Sequence, residues 1–157
     1  VMGESSEEYD ESALRDSVFR LLGRREQSYQ ELRRKLIQKR WPNDMVDAVL
    51  KDFKEKGWQS DERFAEIFIR EKVSQKQGRL KILAQATQQK GLSPDLVEGL
   101  LEEMEVDWFS LCADLKERRF GEEPPADQKQ WMKQVRFLQQ RGFNSEQIFA
   151  CVNRPES

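Results

Sequence analysis

The chain has 157 residues, of which 37% are hydrophobic and 36% charged, and its 27 basic and 29 acidic side chains leave a formal net charge of −2. No apolar run reaches the ~20 residues of a membrane-spanning helix, and no basic-then-apolar leader signals export, so a cytoplasmic protein is expected. The lack of histidine excludes Ser-His and Cys-His nucleophile pairs.

An acidic leader precedes the first predicted helix. Residues 1–12 carry five acids and no base, and such a run of like charges is typical of a flexible terminal segment. From residue 13 onward, apolar side chains recur at Leu14, Val18 and Leu21, which is the spacing of one face of a helix. That helix is expected to end near Gly23.

Two more helices complete a first unit. Ser28 and Glu31 have the Ser-x-x-Glu spacing of a capping box, in which each side chain satisfies a free backbone N–H at the start of a helix. Pro42-Asn43 is predicted to break the chain and cap a third helix, and Gly57 is predicted to end it. Trp58 should then pack back on the bundle.

The same signals recur in a second unit. Ser60 is predicted to cap its first helix, Gly91 to end its second, and Ser93-Pro94 to start its third with a capping serine followed by proline at the first helical position. The first two helices of this unit are predicted to bury Phe64, Ala65, Ile67, Phe68, Val73, Leu80, Leu83, Ala84 and Thr87.

A third unit starts at Asp107 and contains a longer Pro124-Pro125 connection. Asn144 with Gln147 is predicted to cap its last helix. The two cysteines of the chain, Cys112 and Cys151, fall at helical core spacing in this unit. They are too few for a disulfide framework or a zinc site, so we interpret them as small buried hydrophobic residues in a reducing compartment.

The three units repeat one sequence pattern with a period of 51 residues. Trp41, Leu92 and Phe143 are 51 positions apart, and each follows a basic residue by two places. A fixed period near fifty is the signature of a repeat architecture. We therefore predict an all-α fold of three tandem three-helix repeats forming an elongated array, straight or curved. Its predicted parts are a leader over 1–12 and repeats over 13–58, 59–106 and 107–157.

Charge follows the repeat. Residues 13–41 carry nine bases and three acids, and residues 63–91 carry seven and two, whereas residues 92–114 carry seven acids and no base. The first two helices of each repeat are thus basic and the third is acidic. This alternation predicts a polyanion- or partner-binding face, while for any single residue a solvated surface charge is the alternative.

We take nineteen of the bases of these helices and their turns as candidate binding residues. They are Arg24, Arg25, Arg33, Arg34, Lys35, Lys39, Arg40, Arg70, Lys72, Lys76, Arg79, Lys81, Lys90, Arg118, Arg119, Lys129, Lys133, Arg136 and Arg141.

Other functions find less support in the residues. A DNA-reading third helix would need basic or amide side chains, yet the third helices carry acids such as Asp44 and Glu98. Adjacent carboxylates such as Glu102-Glu103 diverge on a helix and are interpreted as surface acids rather than catalytic pairs. The four tryptophans are assigned to the core, with Trp41 and Trp58 as the candidates for base stacking. No catalytic residue, metal or cofactor is predicted.

Several of these elements together resemble the RecX regulatory proteins of bacteria. They are residues 28–36 (SYQELRRKL), 57–65 (GWQSDERFA), 90–93 (KGLS), 119–121 (RFG) and 137–143 (FLQQRGF). They occur in order and extend across residues 13–153. One departure from the family pattern is Gln85-Ala86-Thr87, where the family has a Glu-Leu pair.

The resemblance implies a non-enzymatic modulator of the RecA recombinase. Members of the family lie in the groove of the RecA–DNA filament and inhibit its ATPase, strand exchange and co-protease activities, and many bind DNA. The expected partners are therefore the RecA filament and the backbone of single- or double-stranded DNA, with no membrane, and the expected state is a monomer. A sequence-non-specific nucleic-acid binder acting through phosphate contacts is the alternative.

Overall fold

The computed structural model describes residues 10–155, whose regular secondary structure is helical throughout. The nine α-helices are α1 (Glu11–Arg24), α2 (Tyr29–Gln38), α3 (Asn43–Glu55), α4 (Asp61–Ser74), α5 (Arg79–Ala84), α6 (Pro94–Glu103), α7 (Trp108–Phe120), α8 (Gln128–Gln140) and α9 (Ser145–Cys151). A π-helical turn, Gln85–Gln89, continues α5. The predicted all-α fold of tandem three-helix repeats is confirmed.

Each repeat builds a hydrophobic core of its own, and the helix pairs that pack most closely belong to the same repeat. Leu32, Leu50 and Phe53 are fully buried in the first core, and Ile69 and Ile82 in the second. Half-buried Trp108 packs against both the second and the third core. Each repeat thus buries its own apolar faces, and polar contacts contribute much of the connection between repeats.

Most helices begin where the sequence predicts. Ser28 and Glu31 form the capping box of α2, with the Ser28 hydroxyl accepting from Glu31 N–H at 3.1 Å. The side chains of Ser60, Ser93, Asp107 and Asn144 cap α4, α6, α7 and α9 in the same way. Each cap satisfies a backbone N–H that has no partner within its helix.

Two boundaries differ from prediction. The N-cap of α3 is Pro42, which makes no side-chain cap bond, and Asn43 is already the first helical residue. The helix α1 starts at Glu11, because Asp10 accepts a bond from Ser12 N–H at 2.9 Å and so caps it. The remainder of the predicted leader, residues 1–9, lies outside the described residues.

The buried face of the second repeat was predicted in part wrongly. Ile67 is 55% exposed and Leu80 is 52% exposed, whereas Ile69, Ile82 and Ala86 are fully buried. In the π-helical turn each hydrogen bond spans five residues, as from Lys90 N–H to the Gln85 carbonyl at 3.2 Å. Both exposed residues precede this turn, Ile67 on α4 and Leu80 in the first turn of α5, so their exposure depends on which apolar stripe of each helix packs against its neighbours.

Adjacent repeats meet at two joints built alike. In the first joint, the hydroxyl of Ser28, the N-cap of α2, donates to the Lys90 carbonyl at 2.8 Å. In the second joint, the N–H of Gly78, the N-cap of α5, donates to the Arg141 carbonyl at 2.6 Å. In both, the start of the second helix of one repeat contacts the end of the second helix of the next.

Glycines allow this close approach. Gly91 and Gly142 end their helices with φ of +69° and +101°, and a Cβ on Gly142 would lie 2.5 Å from the Cβ of Lys81. Arg40 holds the corresponding place in the first repeat, 51 residues before Gly91, and has φ +71°. A left-handed arginine is therefore tolerated at this position, and it is the contact with a neighbouring repeat that requires glycine.

Candidate functional site

A groove in the first repeat collects four basic side chains. It has a volume of about 730 Å³ and runs beside α2 and α3 to Gly91 of the second repeat. Its basic lining consists of Arg33 and Arg34 from α2 and Lys51 and Lys54 from α3. We call this surface the repeat-1 groove.

The bases of the repeat-1 groove differ in how they are engaged. Arg33 is paired, with its Nε 2.7 Å from Oδ1 of Asp47 on α3. Lys54 lies over the Tyr29 ring, with Nζ 5.9 Å from the centroid. Arg34 and Lys51 are exposed and make no ion pair with another residue of 10–155. The groove therefore offers ammonium and guanidinium groups to an outside anion.

Lys51 and Lys54 were missed by the sequence analysis. Both lie on a third helix, and this class of helix carries a net acidic charge. Their spacing of three residues places them on neighbouring positions of one helix face, and that spacing was the available signal. That this face turns toward α2 depends on tertiary packing.

A second groove lies in the third repeat. It also measures about 730 Å³, and its charged lining is entirely basic: Arg119 from α7 and Lys129, Lys133 and Arg136 from α8. The three α8 bases are spaced at i, i+4 and i+7, which places them along one face. We call this surface the repeat-3 groove.

Apolar side chains line the repeat-3 groove between the bases. Met132 is 40% exposed there, and Phe120 and Phe137 meet edge-to-face with ring centroids 5.5 Å apart. The Arg119 guanidinium lies over Phe137, 5.0 Å from the centroid. Basic and aromatic groups side by side can contact both the phosphates and the bases of a nucleic acid.

Three predicted binding residues contact other groups of the protein at the joints, and two of them, Lys90 and Arg141, reach across to a neighbouring repeat. In the first joint, the Arg25 and Lys90 side chains both contact Glu31 Oε2 at 2.9 Å. In the second joint, Arg141 donates from Nη2 to the Gln75 carbonyl at 2.8 Å. These bases are occupied within the protein.

Glu31 is the acid at the centre of the first joint, and its side chain is only 10% exposed. Burial would raise the pKa of Glu31, but hydrogen bonds from Arg25, Lys90 and the Ser28 N–H together lower it to about 2. The carboxylate therefore stays ionised and holds two bases from different repeats.

The remaining candidate bases lie outside both grooves. Some contact another side chain: Lys35 donates to Gln27, Arg70 pairs with Glu66, Arg79 with Glu98 and Lys76 with Asp114, while Lys72 lies over Phe68. The others, which make no such contact with a residue of 10–155, are Arg24, Lys39, Arg40, Lys81 and Arg118. Much of the basic charge of the second repeat is thus used internally, and the two grooves belong to the first and third repeats.

The tryptophans divide between core and surface. Trp131 is 8% exposed, whereas Trp58 is 43% exposed. The Trp58 ring packs against Phe19 and Phe53, with centroids 5.2 and 5.1 Å away, and the Lys56 ammonium lies 4.8 Å from its centroid. Trp58 packs back on the bundle, as predicted, and keeps an open face.

Among residues 10–155, no group of three or more histidine, cysteine, aspartate or glutamate side chains is arranged to hold a metal ion. Within the same part of the chain, no helix combines the length and hydropathy needed to cross a membrane.

Comparison with known proteins places the repeats in a family. Models of the first, second and third three-helix domains of RecX match residues 15–53, 60–101 and 105–152. The chain belongs to the RecX family. The resemblance noted in the sequence is thereby confirmed.

Relatives of similar length carry the name Regulatory protein RecX. The one from Halorhodospira halophila is 40% identical over 140 residues, which cover 89% of this chain and 86% of the relative. The one from Vibrio cholerae is 36% identical over 149 residues, covering 95% and 97%.

Two crystal structures share the fold. One, of regulatory protein RecX, has a TM-score of 0.76 at 18% identity and covers 90% of this chain and 70% of its own. The other, of RecX from Lactobacillus salivarius, has a TM-score of 0.74 at 16% identity and covers 90% and 93%. At such identities the likeness concerns the fold alone.

Proposed function

We propose that this RecX protein binds the RecA–DNA filament in its groove and inhibits the RecA ATPase, strand exchange and co-protease activities without catalysing a reaction. It would act as a cytoplasmic monomer. Family membership over nearly the whole chain supports RecA as the target. The observation that carries the proposal is the pair of basic grooves in the first and third repeats of a chain of this family.

The grooves are proposed to contact the DNA of the filament through its phosphates. Arg34 and Lys51 of the repeat-1 groove, and Lys129, Lys133 and Arg136 of the repeat-3 groove, are exposed and make no ion pair with a residue of 10–155. Such bases can release counterions from DNA on binding. Phosphate contacts fix position but carry no sequence information directly, so binding should be indifferent to sequence.

The acidic helix α6 is proposed to face basic surfaces of RecA. Asp95, Glu102 and Glu103 are exposed and make no ion pair with another described residue. By contrast, Asp47 and Asp52 of α3 are paired with Arg33 and Arg15. Of these acids, those of α6 are the ones left available to a protein partner.

The proposal is tested by the ATPase rate of preformed RecA filaments on single-stranded DNA as this protein is titrated in, with free DNA in excess. Inhibition well below one protein per RecA protomer is expected, because a regulator bound in the groove acts on the filament. Inhibition only when the protein suffices to coat the free DNA would contradict it.

That contrary result would favour a sequence-non-specific nucleic-acid binder, for which the wholly basic charge of the repeat-3 groove is the supporting observation. Such a binder should inhibit any recombinase in proportion to the DNA that it covers. A second recombinase unrelated to RecA, assayed on the same DNA, separates the two functions.

A further inference from the structure

The two cysteines of the chain meet in the third repeat. Cys112 lies within α7 and Cys151 is the last residue of α9, yet their Sγ atoms are 3.7 Å apart. The helices that carry them pack closely against each other. Cys112 is fully buried and Cys151 is half-buried. The pairing brings together two thiols 39 residues apart, which helical spacing alone did not reveal.

The position of Cys151 favours bond formation. A disulfide requires its sulfur atoms about 2.05 Å apart, so the two sulfurs must approach by about 1.7 Å. Because Cys151 is the last residue of α9 and is only half-buried, its side chain can turn toward Cys112 while Ile148 and Val152 stay in the core. Helix ends open locally at low free energy cost, which also gives a small reagent access to Cys151.

The surroundings make the two thiols unequal. The hydrogen bond from Cys112 lowers the pKa of Cys151, burial opposes this effect, and the ammonium of Lys116 lowers the pKa further. The same hydrogen bond and burial raise the pKa of Cys112. Lys116 is held nearby because its Nζ donates to the Gly121 carbonyl at 3.0 Å. Cys151 is therefore the thiol that ionises first and meets solvent first.

We propose that Cys112 and Cys151 form a reversible redox modification site that reacts with small-molecule disulfides such as glutathione disulfide. The Cys151 thiolate attacks one sulfur of the reagent, forms a mixed disulfide and expels the first small thiolate. The Cys112 sulfur then attacks Sγ of Cys151 and expels the second. The two protein thiols are oxidised, the reagent is reduced to two thiols, and the two protons pass to the expelled thiolates.

The disulfide would constrain the third repeat. It would tie α7 to α9 around the intervening α8, which carries Lys129, Lys133 and Arg136. Closing a loop of this size restricts the unfolded chain. We expect the oxidised protein to melt about 10 °C higher than the reduced protein.

The test is the intact mass and the peptide map of the full chain after equilibration with mixtures of glutathione and glutathione disulfide. The expected result is the loss of two hydrogen atoms, with a peptide that links Cys112 to Cys151, reversed by excess glutathione. Stable glutathione adducts without the internal link, disulfides between chains, or two free thiols throughout would each overturn the proposal.

Melting supplies an independent readout. The melting temperature of wild type should rise on oxidation. That of Cys151→Ser should not change, and this substitution lies at the half-exposed end of α9. If Cys151→Ser folds poorly, the comparison of oxidised with reduced wild type still tests whether the link stabilises the third repeat, because both proteins have the same sequence. An unchanged melting temperature on complete oxidation would show that the link does not stabilise the third repeat.

Discussion

At the scale of single residues, Glu31 connects the ends of two helices. It accepts a backbone N–H in the capping box of α2, a guanidinium from its own repeat and an ammonium from the next. A partly buried carboxylate with three donors is favoured in its charged form. One acid thus contributes both to the start of a helix and to the contact between repeats.

This arrangement predicts a loss of stability in acid. Because the pKa of Glu31 in the folded protein, about 2, is below its value in the unfolded chain, the contribution is complete above about pH 4.5 and is lost as the pH falls toward 2. It amounts to about 3 kcal/mol. Melting curves between pH 6 and about pH 2.5 should therefore drop more steeply for wild type than for Glu31→Gln.

The matched control is Glu103→Gln, at an exposed acid of α6 that has no ion pair with a described residue. It should keep the pH dependence of wild type. Parallel melting curves for wild type and Glu31→Gln over this range would show that Glu31 does not hold the first joint electrostatically.

At the scale of helices, two serine caps that are alike in sequence differ in their surroundings. The hydroxyls of Ser28 and Ser60 each accept a backbone N–H at 3.1 Å. Only Ser28 is fully buried, and only its hydroxyl also donates to a carbonyl of the next repeat. Its removal leaves that carbonyl without a partner.

Ser60→Ala should therefore cost about 1 kcal/mol in the free energy of unfolding, the usual value for a cap. Ser28→Ala should cost about 2–3 kcal/mol, because a buried acceptor is left unsatisfied as well. Urea unfolding of both variants measures the difference. Equal losses would mean that water or a neighbouring donor replaces the Ser28 hydroxyl.

Substitution by alanine is predicted to have opposite effects on stability at two glycines, one in the second joint and one within α6. Gly78 has an ordinary helix-start backbone, but a Cβ there would overlap the backbone of Gly142. Gly99 lies within α6 and has nothing within 4 Å of the position of a Cβ. Gly78→Ala should destabilise the protein by about 2 kcal/mol, whereas Gly99→Ala should stabilise it by up to about 1 kcal/mol. Thermal unfolding of the two variants tests both, and stabilisation by Gly78→Ala would exclude a tight second joint.

Local signals were predictable from the sequence, and long-range ones were not. Capping residues such as Asn144 and helix-ending glycines such as Gly57 act within a few residues, so spacing suffices to find them. Ile67 and Leu80 fit a helical stripe equally well, but which face of a helix is buried depends on the neighbouring helices that pack against it. The contact of Gly78 with the carbonyl of Arg141 spans 63 residues, and no local pattern encodes it.

At the scale of the whole molecule, the basic residues of the alternating pattern divide into those that line grooves and those that connect repeats. Bases of the first and third repeats line the two grooves, and Lys90 and Arg141 join neighbouring repeats. All four bases of the repeat-3 groove were predicted as binding residues, because they lie on basic helices. Only two of the four bases of the repeat-1 groove were predicted, because the other two lie on α3, which is a third helix.

This division predicts that position matters more than net charge. The triple variant Lys129→Gln, Lys133→Gln, Arg136→Gln removes three bases from the repeat-3 groove. The triple variant Arg20→Gln, Arg24→Gln, Arg70→Gln removes three exposed bases that line neither groove. If each groove base meets one phosphate, the slope of log K against log salt for single-stranded DNA should fall by about 2 in the groove variant.

The control variant should keep nearly the slope of wild type, because its bases contact no phosphate in the proposed complex. Titration of fluorescent single-stranded DNA between about 50 and 200 mM salt measures both slopes, and the RecA ATPase assay with the same proteins connects them to inhibition. Equal losses of slope in the two variants would show that net charge governs binding and that the groove has no special part. A groove variant that binds DNA weakly yet inhibits RecA like wild type would instead assign inhibition to protein contacts, for which the acids of α6 are the next residues to replace.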